Sequence, residues 1–224
     1  MSRMSCQSSK EMVDYLKATK YCDCDNQEII KKAKQLTAGA STQKEAANRI
    51  FNFVRDEIRF ALEEHSPASE TLKRGTGQCV TKSSLQIALL RAAGIPARYH
   101  LVDLISDCLK GIISQEAYEG FGGVITDHPW CECHLSNKWI SCDTLFDEPL
   151  YEAGLRKGVI SKADIPTIDW DGENDVNTMT TWIVKDKGRS PNRDDRWDNE
   201  RKEMGSLWPI LRESNKFTEQ LRKE

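Results

Sequence analysis

With 224 residues, 38% hydrophobic and 30% charged, the chain can build one sizeable core with appendages or two small domains, and part of it is expected to stay outside the core. A formal charge of -3 gives no general attraction to nucleic acid or to anionic membranes. No apolar run approaches the roughly 20 residues of a membrane span, and the opening MSRMSCQSSKEMVDYL lacks the apolar stretch of a secretory signal, so the expected location is the cytoplasm. In that setting the eight cysteines are expected to be reduced thiols.

Amphipathic spacing predicts helices over residues 10–19, through Met12, Val13, Tyr15 and Leu16, and over 26–36, through Ile29, Ile30, Ala33 and Leu36. After the break at residues 38–41, Thr42 and Glu45 form a T-x-x-E start signal for a helix burying Ala46, Ile50, Phe53, Val54 and Ile58. Residues 63–77 read as a long polar loop. A helix is expected over 80–93, with Leu85, Ala88, Leu89 and Ala92 on one face, Gly94 closing it and Pro96 preventing continuation. A strand follows over 97–104, and 105–123 is a helix or an insertion ending in a flexible glycine turn. Two strands, 124–135 and 138–145, meet at Ser136-Asn137. With that two-residue loop, Leu135 faces Lys138 and paired numbers sum to 273, so His128, Trp130 and Glu132 share a face with Trp139, Ser141 and Asp143. Further on, 151–158 reads as a short helix, 177–185 as a last strand, 186–203 as a charged stretch that is mobile or a surface appendage, and 207–221 as a helix lying on the domain. Residues 1–60 then form the N-terminal helical part of one domain, 61–185 its catalytic core and 186–224 an extension.

Cys79 stands out because it follows Gly75 and Gly77 and starts a helix. The helix dipole favours its thiolate, the form that attacks carbonyls. Its own amide, with the Gln78 side chain as a second donor, is positioned for an oxyanion. Of four histidines, His65 falls in the polar loop, His100 in a buried strand and His134 beside the turn. That leaves His128, which begins an H-x-W-x-E pattern in which Trp130 shields the imidazole. Asp143 lies diagonal to His128 in the predicted hairpin and is expected to fix its tautomer. The rival Asp127 is expected on the opposite face, and Asp147 is a second rival. A zinc site drawn from Cys22, Cys24, Cys131, Cys133, His134 and Cys142 competes, but C-x-C spacing is less typical of zinc than C-x-x-C. The basic residues of 189–201 alternate with acids and read as a solvated face.

Three blocks in order carry a family likeness: G-x-C followed by a helix ending in R-A-A-G-I-P-A-R, H-x-W-x-E at His128–Glu132, and W-x-x-x-D at Trp139–Asp143. Together, over about Phe51–Asp147, they resemble the transglutaminase-like superfamily, a branch of the papain-like thiol enzymes. The resemblance implies an α+β fold in which the cysteine helix packs on an antiparallel sheet, and a Cys79–His128–Asp143 triad working through a thioester. It does not imply protein crosslinking, since the large animal crosslinkers carry extra β-domains and calcium sites, whereas small microbial members look more like peptidases or amidases. The expected activity is a thiol hydrolase on a peptide, protein or small amide, without cofactor or metal. An acyltransferase or cyclase using the same residues is the alternative, favoured if residues 105–123 and the C-terminal tail close the pocket. A non-catalytic scaffold keeping the fold is the remaining one.

Overall fold

The computed structural model describes residues 12–223. The helix expected at 10–19 begins outside these residues, and within them only 12–14 are helical. Asn26 accepts the Glu28 amide and Thr42 the Glu45 amide, so each caps a helix, α1 (Gln27–Thr37) and α2 (Gln43–Glu57). These helices bury Ile29 and Ala33, and Ala46, Ala47, Ile50, Phe51 and Val54.

The stretch read as a long loop is more ordered than its polarity suggests. Strand β1 (Arg59–Phe60) pairs in parallel with β2 (Thr76–Gly77), and α3 (Ala68–Arg74) lies between them. Only Ala68 and Thr71 of α3 are buried, so no apolar period reveals it. Gly75, at φ 73°, ends it.

Helix α4 (Cys79–Ala92) is buried on nearly every side, which explains its weak amphipathic pattern. Gly94, at φ 76°, turns the chain as expected, with Ile95 N–H donating to Leu90 O at 2.9 Å. Strand β3 (Ala97–Ile105) follows, then a 3-10 turn (Ser106–Leu109), α5 (Gln115–Gly120) and the hairpin of β4 (Val124–Leu135) and β5 (Lys138–Ser141). Positive φ at Ser136 (50°) and Asn137 (63°) makes the tight two-residue turn, and the pairs Leu135↔Lys138 through Glu132↔Ser141 keep the expected sum. Helix α6 (Glu148–Lys157) is capped by Asp147.

The last strand, β6, spans Ile183–Ser190 rather than 177–185, because a 3-10 turn takes Thr180–Trp182. The sheet is antiparallel with order β5-β4-β3-β6. Residues 194–203, within the stretch expected to be mobile or a surface appendage, form α7 (Asp194–Glu203), and α8 (Trp208–Lys223) follows.

Alternation along β3 divides the interior. Tyr99 and Leu101 join α1, α2 and α4 in one core, whereas Val102 and Leu104 join Leu145, Phe146, Met179, Trp208 and Leu211 in a second. Cys79 packs against both, which puts the first turn of α4 at their seam.

Candidate active site

The first turn of α4 is built to hold a side chain in a fixed place. Gln78 caps it: Gln78 Oε1 accepts Val80 N–H at 2.7 Å, and Thr81 Oγ1 accepts Gln78 N–H at 2.9 Å. Gly77 is required by close approach, since a Cβ there would meet Thr81 Oγ1 at 2.5 Å; its backbone is not left-handed, unlike that of Gly75. Cys79 is the first residue of the helix, where an amide has no intrahelical acceptor. Its thiol donates to Gln78 Oε1 at 3.0 Å, and Gln78 Nε2 donates to Glu63 O at 3.4 Å. The Gln78 side chain, expected as an oxyanion donor, is engaged in capping.

Cys79 and His128 line the same cavity, with an empty volume of about 570 Å³. A clamp between elements positions the histidine: Ser83, one turn beyond Cys79, donates to the carbonyl oxygen of Pro129, the residue after His128, at 3.2 Å. His128 is buried beside Trp130, their ring centroids 6.5 Å apart, and its Nε2 has no hydrogen-bond partner among the described residues. Trp130 lies behind the cavity wall, where its ring packs on His100 at 4.2 Å and its Nε1 donates to Ser141 Oγ at 3.2 Å.

Asp143 continues the hairpin register only in part. The Cys142 amide donates to Cys131 O at 2.9 Å, but the Asp143 amide turns away to Val176 O at 3.0 Å. The buried carboxylate accepts Leu145 N–H at 3.0 Å, Thr178 N–H at 3.1 Å and the Thr178 hydroxyl at 2.5 Å. None of these donors is His128, and Asp143 is not among the residues that line the cavity.

Asp127 differs from the expectation. Pairing slips between Val102 and Leu104, and Asp127 takes φ 57°, so a β-bulge breaks the alternation that separated it from His128. Both residues line the cavity. The Asp127 carboxylate is nevertheless spoken for by Arg196 Nε at 2.6 Å, Lys187 Nζ at 2.8 Å and Arg193 Nη2 at 3.1 Å. Asp147 accepts Leu150 N–H, Phe60 N–H and the Arg222 guanidinium, a structural role. Glu132 is likewise committed to Arg98 at 2.7 Å and His100 at 2.9 Å.

Charge states follow from this environment. The expected thiolate is not favoured here: burial first, and then the Glu200 carboxylate, push the Cys79 thiol well above its ordinary value. Burial pushes His128 down to about 3. At neutral pH the cavity thus holds a thiol and a neutral imidazole.

Several cavity residues were not singled out in the sequence. Glu200 and Met204 come from α7 and its C-terminal end, Trp208 and Leu211 from α8, and Cys108, Leu109 and Phe121 from the segment between β3 and β4. His65 also lines it and is buried, with its ring 5.5 Å from that of Trp208. The available signal was the spacing Trp197, Glu200, Met204, Trp208, a helical face hidden among charges. Of the cysteines considered for zinc, Cys131, Cys133 and Cys142 are core residues, with Cys142 Sγ 3.9 Å from Cys133 Sγ.

The family model described as the transglutaminase-like superfamily matches residues 30–144. No curated protein matches the chain. Among solved structures, a candidate cysteine protease from Cytophaga hutchinsonii is similar at 20% identity and a TM-score of 0.45, the match covering 60% of this chain and 42% of that one. A candidate protease from Parabacteroides distasonis is similar at 16% identity and a TM-score of 0.38, covering 58% and 25%. The chain thus spans less than half the length of either structure.

Proposed function

Because the chain belongs to the transglutaminase-like superfamily, we propose that it is a thiol hydrolase cleaving an amide or peptide bond through a Cys79 thioester. The observation that carries this reading is that Cys79, at a helix start, and His128, on a strand, open onto one cavity, with His128 Nε2 buried and unpartnered. Cys79 Sγ bonds to the carbonyl carbon as its proton passes to His128 Nε2, and the oxygen that gains the electron pair faces the Cys79 amide. His128 then gives the proton to the leaving amine as the C–N bond breaks, leaving a thioester. Water attacks that carbonyl and yields its proton to His128, and the C–S bond breaks. The thiolate recovers the proton and the acid departs. Asp143, fixed by Thr178, is the acid proposed to orient the imidazole and offset its charge.

One observation favours a second reading, acyl transfer or cyclisation on a compact amide. The segment between β3 and β4, together with α7 and α8, walls the cavity with Leu109, Phe121, Met204 and Trp208, which suits a small substrate and limits water. An amine then replaces water as the acceptor.

The test is acylation by p-nitrophenyl acetate, followed by intact mass and peptide mapping. One acetyl group on Cys79 is expected, none in Cys79→Ala, and acylation slower by roughly 10²–10⁴-fold in His128→Ala. Acylation that is as fast without His128, or that falls on other cysteines, refutes the reading and leaves a scaffold.

A further inference from the structure

Among the described residues, four buried side-chain polar atoms lack a hydrogen-bond partner: His128 Nε2, Glu200 Oε2, Arg193 Nε and Trp197 Nε1. Only the first two belong to residues lining the Cys79 cavity. His128 is accounted for as the proton carrier. Glu200 is not, and a buried carboxylate oxygen without a donor is costly unless something arrives to meet it.

Arg196 and Lys187, the cations that act on Glu200, each bind other acids, and Arg193 does so through its Nη2. Arg196 donates to Asp127 at 2.6 Å and to Glu203 at 3.0 Å. Lys187 bridges Asp127 at 2.8 Å and Asp103 at 3.4 Å, and Arg193 binds Asp127 at 3.1 Å. Three cations thus answer Asp103, Asp127 and Glu203, and Glu200 is the surplus charge. Burial pushes its pKa up to about 7, ahead of the opposing pull of Arg196. Besides the polar His65, Asp127 and His128, the wall carries the apolar Leu109, Phe121, Met204 and Trp208.

We propose that Glu200 is a specificity-determining residue that binds a primary ammonium group of a compact ligand held beside Cys79. The inference rests on the thiol-enzyme reading and deepens it. A cation is the occupant that pairs the Glu200 carboxylate and removes the negative charge that opposes thiolate formation at Cys79. The ammonium belongs either to the amide substrate itself or to an amine acting as acyl acceptor.

The test measures binding to the Cys79→Ala protein by calorimetry, with L-leucinamide, N-acetyl-L-leucinamide and n-butylamine as probes. Expected is binding of at least one amine, with leucinamide preferred on the order of tenfold over its acetylated form if the substrate carries the ammonium. Binding of butylamine without that preference, together with faster loss of acetyl from wild-type Cys79 when butylamine is added, assigns the ammonium to the acceptor. In either case Glu200→Gln must abolish the effect. Failure of both amines to bind, or effects that survive Glu200→Gln, overturns the proposal. The comparisons with Glu200 intact stand even if the glutamine variant fails to fold. Because binding is read without turnover, failure here condemns the role of Glu200, while the acylation assay judges the thiol chemistry separately.

Discussion

At the residue scale, the site shows how little a motif says about protonation. The helix start at Cys79 favours a thiolate, yet burial and the Glu200 carboxylate outweigh it. The same carboxylate that suits an ammonium ligand therefore adds to burial in favouring the thiol form of Cys79. Replacing Glu200 by glutamine removes the charge and keeps the shape, so Cys79 should react with iodoacetamide several-fold faster at pH 7 to 8, with its labelling profile moved to lower pH. An unchanged profile would mean that burial alone sets the thiol. Cys79 and His128 were legible because their chemistry comes with local punctuation, glycines before a helix and a tryptophan two residues on. Glu200 was illegible because its meaning depends on which neighbours remain unpaired, and that is decided by Asp103 on β3, Asp127 on β4 and Glu203 one turn further along α7. The parity argument that set Asp127 apart failed for a local reason, one bulge residue at φ 57°.

At the element scale, α7 contributes Glu200 to the wall of the cavity that Cys79 and His128 line. The hairpin register could be read in advance because two turn residues fix it; α7 could not, because it buries a single apolar side chain among ten residues. That side chain, Trp197, is fully buried and meets Tyr99 at 4.6 Å, Tyr21 at 5.6 Å and His65 at 6.5 Å between ring centroids. Asp194 adds a polar clasp at the start of the helix, accepting from Lys20 N at 2.8 Å, Thr19 Oγ1 at 3.0 Å and Tyr21 N at 3.2 Å. Removing a buried tryptophan costs about 3–5 kcal/mol, and here most of that loss falls on the docking of α7. Trp197→Ala is therefore expected to lower stability in urea by that amount and to expose Cys79 to alkylation under native conditions. A loss of stability with no gain in Cys79 alkylation would show that α7 does not close the site.

For the whole molecule, buried neutral groups tie stability to pH. His128 titrates at about 3 and His65 at about 4 in the fold, both because burial disfavours the charged ring, against about 6.5 unfolded. Between pH 4 and 6.5 the unfolded chain therefore binds two more protons at these residues than the native protein, and their contribution to stability is lost as pH falls through that window. Glu200 has the opposite sign. Its native value of about 7 lies above the unfolded value of about 4.3, so across most of the same window the native protein holds one proton more and gains stability as pH falls. Lys82, lowered to about 7 by burial, acts only at higher pH, and Asp143, raised by burial, is common to wild type and variant. The three groups together leave a net difference of about one proton, or ~1.4 kcal/mol lost per pH unit. Glu200→Gln removes the compensating proton and raises that loss to about two protons' worth per unit. Urea midpoints measured from pH 5.0 to 6.5 should diverge accordingly, the variant losing stability more steeply on acidification while matching or exceeding wild type at pH 7.5. Parallel lines would mean that Glu200 keeps an ordinary carboxylate value in the fold, and with it that its carboxylate is solvated rather than buried in the cavity awaiting a cation.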